Sequence, residues 1–176
     1  MNSVGKDKAM IPVALNQTCY LLALGGNMPH PRLGLPHHVL CSAFDRLSSD
    51  TLTCIARSPI VPSKAVGPSL RNYANAAALV KTTLLPGELL AFCKQLEQEF
   101  GGRSKGQRWS ARRLDLDIVL WSGGRWNAPG LVIPHPLFRT RDFVLRPSAA
   151  IAGAWRDPVT GLTVRQLLSR LCKQAG

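Results

Sequence analysis

The chain has 176 residues, 45% of them hydrophobic, which suits one compact soluble domain and leaves little room for two. Twenty-two Lys and Arg against ten Asp and Glu give a net charge of +12, so an anionic partner is expected: a nucleic acid, a membrane surface or a phosphorylated small molecule. No apolar run reaches transmembrane length, and five cysteines without a Cys-x-x-Cys pair predict reduced thiols in a cytoplasmic protein. Residues 1–18 contain Lys6 and Lys8 but no signal-peptide pattern, and read as a loose leader before a single domain over 19–176.

The apolar run Cys19–Leu24, ended by Gly25-Gly26-Asn27, predicts a strand and a turn. Leu35, Val39, Ala43, Phe44 and Leu47 follow helical spacing, and Thr51–Ala56 alternates as a second strand. Pro59, Pro62, Gly67 and Pro68 punctuate 58–72 heavily enough to predict a long binding loop. Ala74–Thr82 reads as a third strand. Pro86 opens a helix with the buried stripe Leu89, Cys93, Leu96 and Phe100, which Gly101-Gly102 closes. After a basic segment comes the strand Asp115-Leu116-Asp117-Ile118-Val119-Leu120. This order predicts an α+β, ferredoxin-like βαββαβ sandwich with an antiparallel central sheet and helices on both sides. A C-terminal extension with a Gly-Gly turn, a Pro134-His135-Pro136 loop and a helix over Thr163–Cys172 is expected to pack on the same core.

The segment 103–118 carries the chemistry. Asp115 and Asp117 stand at i and i+2 on a strand and share a face, opposite Leu114, Leu116 and Ile118. Arg103, Lys105, Arg108, Arg112 and Arg113 lie just upstream. Two aspartates beside arginines are ordinarily a solvated ion-pair surface. Two hard-oxygen ligands on one face among clustered cations also suit magnesium and a polyphosphate, and so predict an enzyme that uses ATP. His135 between two prolines sits on a rigid loop and can donate to a phosphate, whereas His30, His37 and His38 have no such setting. Without further information, Glu97 reads as an exposed helix charge.

These residues resemble the 6-hydroxymethyl-7,8-dihydropterin pyrophosphokinase family of folate biosynthesis. The resemblance is carried by Arg108-Trp109-Ser110-Ala111-Arg112-Arg113-Leu114-Asp115-Leu116-Asp117-Ile118, with Gly25-Gly26-Asn27, Tyr73-Ala74-Asn75, Glu97, Pro134-His135-Pro136 and Arg141-Asp142-Phe143-Val144-Leu145 in matching order. It implies transfer of the diphosphoryl group of ATP to the pterin hydroxymethyl oxygen, with release of AMP. It further implies two magnesium ions on Asp115 and Asp117, and catalytic arginines at Arg103 and Arg112. ATP contacts would come from Glu97, Arg112, Ile118, His135, Pro136 and Arg141. A pterin pocket would be formed by Tyr73, Asn75, Trp109 and Phe143, with backbone from Ser63, Lys64 and Val66. Two glycines precede Arg103 where the family pattern has one, and Ser110-Ala111 replaces Gly-Pro. ATP and hydroxymethyldihydropterin are the expected partners of a monomer, with no membrane or nucleic-acid role.

The competing reading is a basic single-stranded nucleic-acid-binding module, since RNA-recognition sheets share the βαββαβ order. Such sheets stack bases on aromatics in the central strands, and Ala74–Val80 offers none. Neither Gly-x-x-x-x-Gly-Lys-Ser/Thr nor Gly-x-Gly-x-x-Gly occurs, so P-loop and Rossmann sites find no support.

Overall fold

The computed structural model describes residues 17–63, 73–102 and 112–174. Strand β1 spans Thr18–Gly26, helix α1 Pro36–Arg46, β2 Leu52–Arg57, β3 Val61–Ser63, β4 Tyr73–Thr82, α2 Pro86–Glu99 and β5 Asp115–Trp121. A short hairpin, β6 Trp126–Ala128 and β7 Leu131–Ile133, leads to a 3-10 turn at Phe138–Thr140. Helices α3, Asp142–Ala152, and α4, Val164–Gln174, complete the chain. The sheet runs β2-β4-β1-β5 with every pairing antiparallel, which is the ferredoxin-like order expected from the sequence.

Strand alternation divides the apolar residues between two cores. Tyr20, Leu22 and Leu24 of β1 join Ala74, Ala76, Ala78, Leu116 and Ile118 beneath α1 and α2. Leu21 and Ala23 join Ala77, Val119 and Leu120 beneath α3 and α4. A bulge at the β1–β5 pairing shifts the register between Leu21 and Leu22, so Val119 and Leu120 both reach the second core before Trp121 returns to stack on Tyr20. Helices therefore cover both faces.

Two expectations need correction, and one position in the sheet is new. The segment 58–72 is not loop throughout: Val61–Ser63 pairs with β4, because Pro62 lies on a short edge segment that tolerates a missing donor. The C-terminal part holds a second long helix, α3, whose internal Pro147 masks its period. The Asp-Leu-Asp strand stands at the sheet edge, paired to β1 alone among the named strands. Among the described residues the cysteines are unpaired, and no helix is long and apolar enough to cross a membrane.

Candidate active site

One row of residues crosses the sheet on the α3 side: Asn75 on β4 pairs with Gly25 on β1, and Gly25 pairs with Asp115 on β5. The next row is Ala77, Ala23 and Asp117. The middle strand thus contributes a glycine and an alanine between an amide and two carboxylates. The flanking positions stand about 10 Å apart, two strand spacings. A Cβ on Gly25 would lie 3.5 Å from Asn75 Oδ1, so the bare backbone there keeps the floor between the flanks open.

The carboxylate side is surrounded by donors. Arg112 Nη1 is bonded to Asp115 Oδ1. Asp117 Oδ2 lies 3.8 Å from His135 Nε2 and 3.9 Å from Arg141 Nη1, too long for either to occupy its lone pairs. The two aspartates remain 31% and 36% exposed, open to a ligand. Burial pushes the His135 imidazole below its usual range; Arg141 acts in the same direction, while Asp117 and Asp115 oppose it. Its Nδ1 accepts the Leu137 N–H at 3.2 Å, which places the proton of the neutral ring on Nε2, facing Asp117.

Glu97 corrects the reading of an exposed helix charge. It is 8% exposed, and its Oε1 accepts the Leu116 N–H of the β5 edge at 2.8 Å, while Oε2 takes Lys94 Nζ at 2.9 Å. Further along that edge the His135 N–H donates to the Val119 carbonyl at 3.0 Å. Ile118 lies between these two fixed points with its side chain buried in the first core, which leaves only its main chain open to a ligand. Pro136 is exposed beside His135. A cleft of about 570 Å³ opens on the α2 side, lined by Lys94, Glu97, Gln98, Gly102, Arg112 and Asp115 among others.

On the opposite flank, buried Asn75 donates from Nδ2 to Ser63 Oγ at 2.7 Å, and Ser63 pairs in register with Tyr73. Half-buried Phe143 starts α3 against the second core, with the Arg141 guanidinium 5.8 Å from its ring centre. Arg103, Lys64, Val66 and Trp109 lie outside the described residues.

Two contributions were not anticipated. Asn27 binds both backbone groups of Arg112, and a Cβ on Gly26 would overlap the Arg113 carbonyl oxygen, so Gly26-Asn27 seats the segment entering β5. The signal was present as a strand ending in Gly-Gly-Asn, but its partner is 85 residues away. Lys94 lines the cleft from one helical turn before Glu97, a spacing visible in the sequence but shared by many surface pairs.

A ferredoxin-like sandwich with a carboxylate pair and converging cations at one sheet edge defines a phosphate-transferring enzyme rather than a base-stacking module. α3 and α4 cover the sheet face that an RNA-recognition fold would expose, and β1 and β4 present Ala23, Gly25, Asn75 and Ala77 there. Residues 21–153 match the 7,8-dihydro-6-hydroxymethylpterin-pyrophosphokinase family, and the chain belongs to that family. It is similar to proteins named 2-amino-4-hydroxy-6-hydroxymethyldihydropteridine pyrophosphokinase from Haemophilus influenzae and Pseudomonas aeruginosa. The first is 36% identical over 158 residues, covering 89% of this chain and 92% of that protein. The second is 36% identical over 138 residues, covering 78% and 82%. A relative of the same name from Synechocystis is 38% identical over 109 residues, and the match spans 55% of its length. Among solved structures, Plasmodium falciparum HPPK-DHPS with pteroate superposes with a TM-score of 0.70 at 13% identity, over 90% of this chain and 45% of that one. That likeness concerns the fold.

Proposed function

We propose that the Asn75–Gly25–Asp115 row and its surroundings form the reaction site of this pyrophosphokinase. The enzyme transfers the diphosphoryl group of ATP to the hydroxymethyl oxygen of 6-hydroxymethyl-7,8-dihydropterin: a new O–P bond forms at the β-phosphorus and AMP leaves. The observation that carries the placement is the same-face pair Asp115 and Asp117, open to solvent and approached by Arg112, His135 and Arg141.

The donor set fits magnesium. No group of three or more His, Cys, Asp or Glu that could hold a metal occurs among the described residues, so the site supplies two carboxylates and no closed cage. Magnesium is commonly held in this way, by one or two carboxylates with substrate phosphates and water completing its shell. Asp115 and Asp117 would hold the ions, two by the family resemblance, and magnesium held there would supply positive charge against the phosphate oxygens. Arg112, Arg141 and the His135 Nε2–H then supply donors to phosphate oxygens from three directions, arginine through a planar fork that stays charged. Arg103 is proposed as a further catalytic arginine.

Glu97 acts through the β5 edge that it fixes, and Lys94 extends the cationic lining into the cleft on that side. ATP therefore lies along β5 with contacts to Arg112, Ile118 main chain, His135, Pro136 and Arg141. The pterin occupies the other flank. Asn75 reads its polar edge, Tyr73 and Phe143 offer aromatic surface, and Ser63 holds the Asn75 amide in orientation. Trp109, Lys64 and Val66 are proposed to complete this pocket.

The test is incubation with ATP, magnesium and hydroxymethyldihydropterin, followed by nucleotide analysis. AMP formed in step with pterin consumption supports the reading. ADP, or no pterin-dependent product, overturns it.

A further inference from the structure

The turn from His135 to Arg141 carries two of the donors that meet Asp117, one at each end. It is internally braced: the Phe138 N–H donates to the His135 carbonyl at 3.2 Å, and the Arg141 N–H to the Phe138 carbonyl at 3.4 Å. Within the turn, Arg139 is bound to Asp157. Its Nε and Nη2 donate to Asp157 Oδ2 and Oδ1, each at 2.7 Å, while the guanidinium lies 4.7 Å from the buried Phe138 ring centre. The Asp157 side chain is fully buried and also accepts from Thr160 Oγ1 at 2.6 Å and the Val159 N–H at 3.1 Å. Asp157 lies beyond the stretch matched to the family, which ends at residue 153.

A buried carboxylate with four donors, two of them from a forked arginine, gives little net stability relative to apolar replacements of similar volume, but it fixes geometry. We propose that Asp157 is a positioning residue: through Arg139 it locks the 135–141 turn so that His135 and Arg141 converge on the nucleotide phosphates. The inference rests on the reading of His135 and Arg141 as ATP contacts. It gives the loop before α4 a part in nucleotide recognition while leaving the β3–β4 pterin flank untouched.

The test compares wild type, the double variant Arg139→Met/Asp157→Leu, and Arg141→Ala. Thermal melting is followed, with binding of a non-hydrolysable ATP analogue with magnesium, and steady-state kinetics. The double variant is expected to melt within a few degrees of wild type and to raise the ATP KM and the analogue Kd about tenfold, since small misplacements of binding groups carry such penalties. Its pterin KM and its kcat at saturating ATP are expected to stay within about twofold, because Ser63, Tyr73 and Asn75 stand on β3 and β4, Phe143 is held against the second core, and the carboxylate pair stands on β5. A double variant that binds the analogue as wild type does, beside a weakened Arg141→Ala, overturns the inference and leaves the nucleotide site standing. An Arg141→Ala protein with wild-type analogue affinity overturns both. Equal losses toward ATP and pterin indicate general loosening and also overturn the inference. If the double variant does not fold, Arg139→Lys carries the test: replacing the fork with a point charge should weaken ATP about threefold, and unchanged ATP affinity overturns the inference.

Discussion

Asn27 and Arg112 form a two-way clasp: the Arg112 N–H donates to Asn27 Oδ1 at 2.9 Å, and the Asn27 N–H donates to the Arg112 carbonyl at 2.9 Å. The clasp ties the end of β1 to the residue whose side chain binds Asp115. Asn27→Ala would leave the Arg112 amide without its acceptor, a loss of about 1–3 kcal/mol when such a group is shielded from water. The expected result is a lower melting temperature and turnover reduced about tenfold or more through displacement of Arg112. Asn27→Asp keeps the acceptor oxygen and should retain most stability. Equal melting of Asn27→Ala and wild type would show that the clasp does not hold this segment.

Asp117 differs from Asp115 in having no close partner: its neighbours stand at 3.8 and 3.9 Å, whereas Asp115 is bonded to Arg112. Asp117→Ala should therefore remove a ligand without disturbing an existing ion pair. Turnover is expected to fall by at least ~10²-fold, the scale of losing one large electrostatic contribution to a transition state. The melting temperature should change little, since surface ion pairs at these separations contribute little. Magnesium titration of turnover checks the assignment; near-normal activity at ordinary magnesium would remove Asp117 as a metal ligand.

The parts legible in the sequence were those whose signal is local. β1, β4 and β5 announce themselves as apolar or alternating runs, and α2 is bracketed by Pro86 and Gly101-Gly102. The same-face placement of Asp115 and Asp117 follows from strand geometry alone. What escaped depends on distant partners or broken periods. Glu97 looks like any helix acid until the β5 edge offers it the Leu116 N–H, and Asn27 is a turn residue until Arg112 arrives beside it. Three-residue β3 is too short to alternate, and Pro147 hides α3.

Gly101 makes a test of the local packing behind Arg112. It has φ +108°, and a Cβ there would overlap Arg113 Nη1. Gly101→Ala therefore meets two penalties: a backbone conformation costing about 1–3 kcal/mol for a residue with a side chain, and displacement of Arg113. Arg113→Ala removes the second. A double-mutant cycle should show coupling of about 0.5–3 kcal/mol, with Gly101→Ala less damaging in the Arg113→Ala background. Additive effects would mean that Arg113 does not need the glycine notch.

Asp157 also predicts an acid dependence of stability. Burial alone would raise its pKa, but hydrogen bonds from Arg139, Thr160 and the Val159 N–H outweigh that and bring it from 3.8 to about 2. A carboxylate with a folded-state pKa below its unfolded value favours the native state above the unfolded pKa, and that contribution fades as pH falls through the folded one. The window is thus roughly pH 4 down to pH 2, and a shift of this size corresponds to about 2 kcal/mol. Asp157→Asn has no such titration and leaves Arg139 poorly matched, so it should be less stable at pH 6. Melting temperatures measured from pH 6 to pH 2 should show the two proteins converging as acid protonates Asp157 in the wild type. A gap that stays constant across that range would mean that the Arg139–Asp157 fork does not depend on an ionised carboxylate.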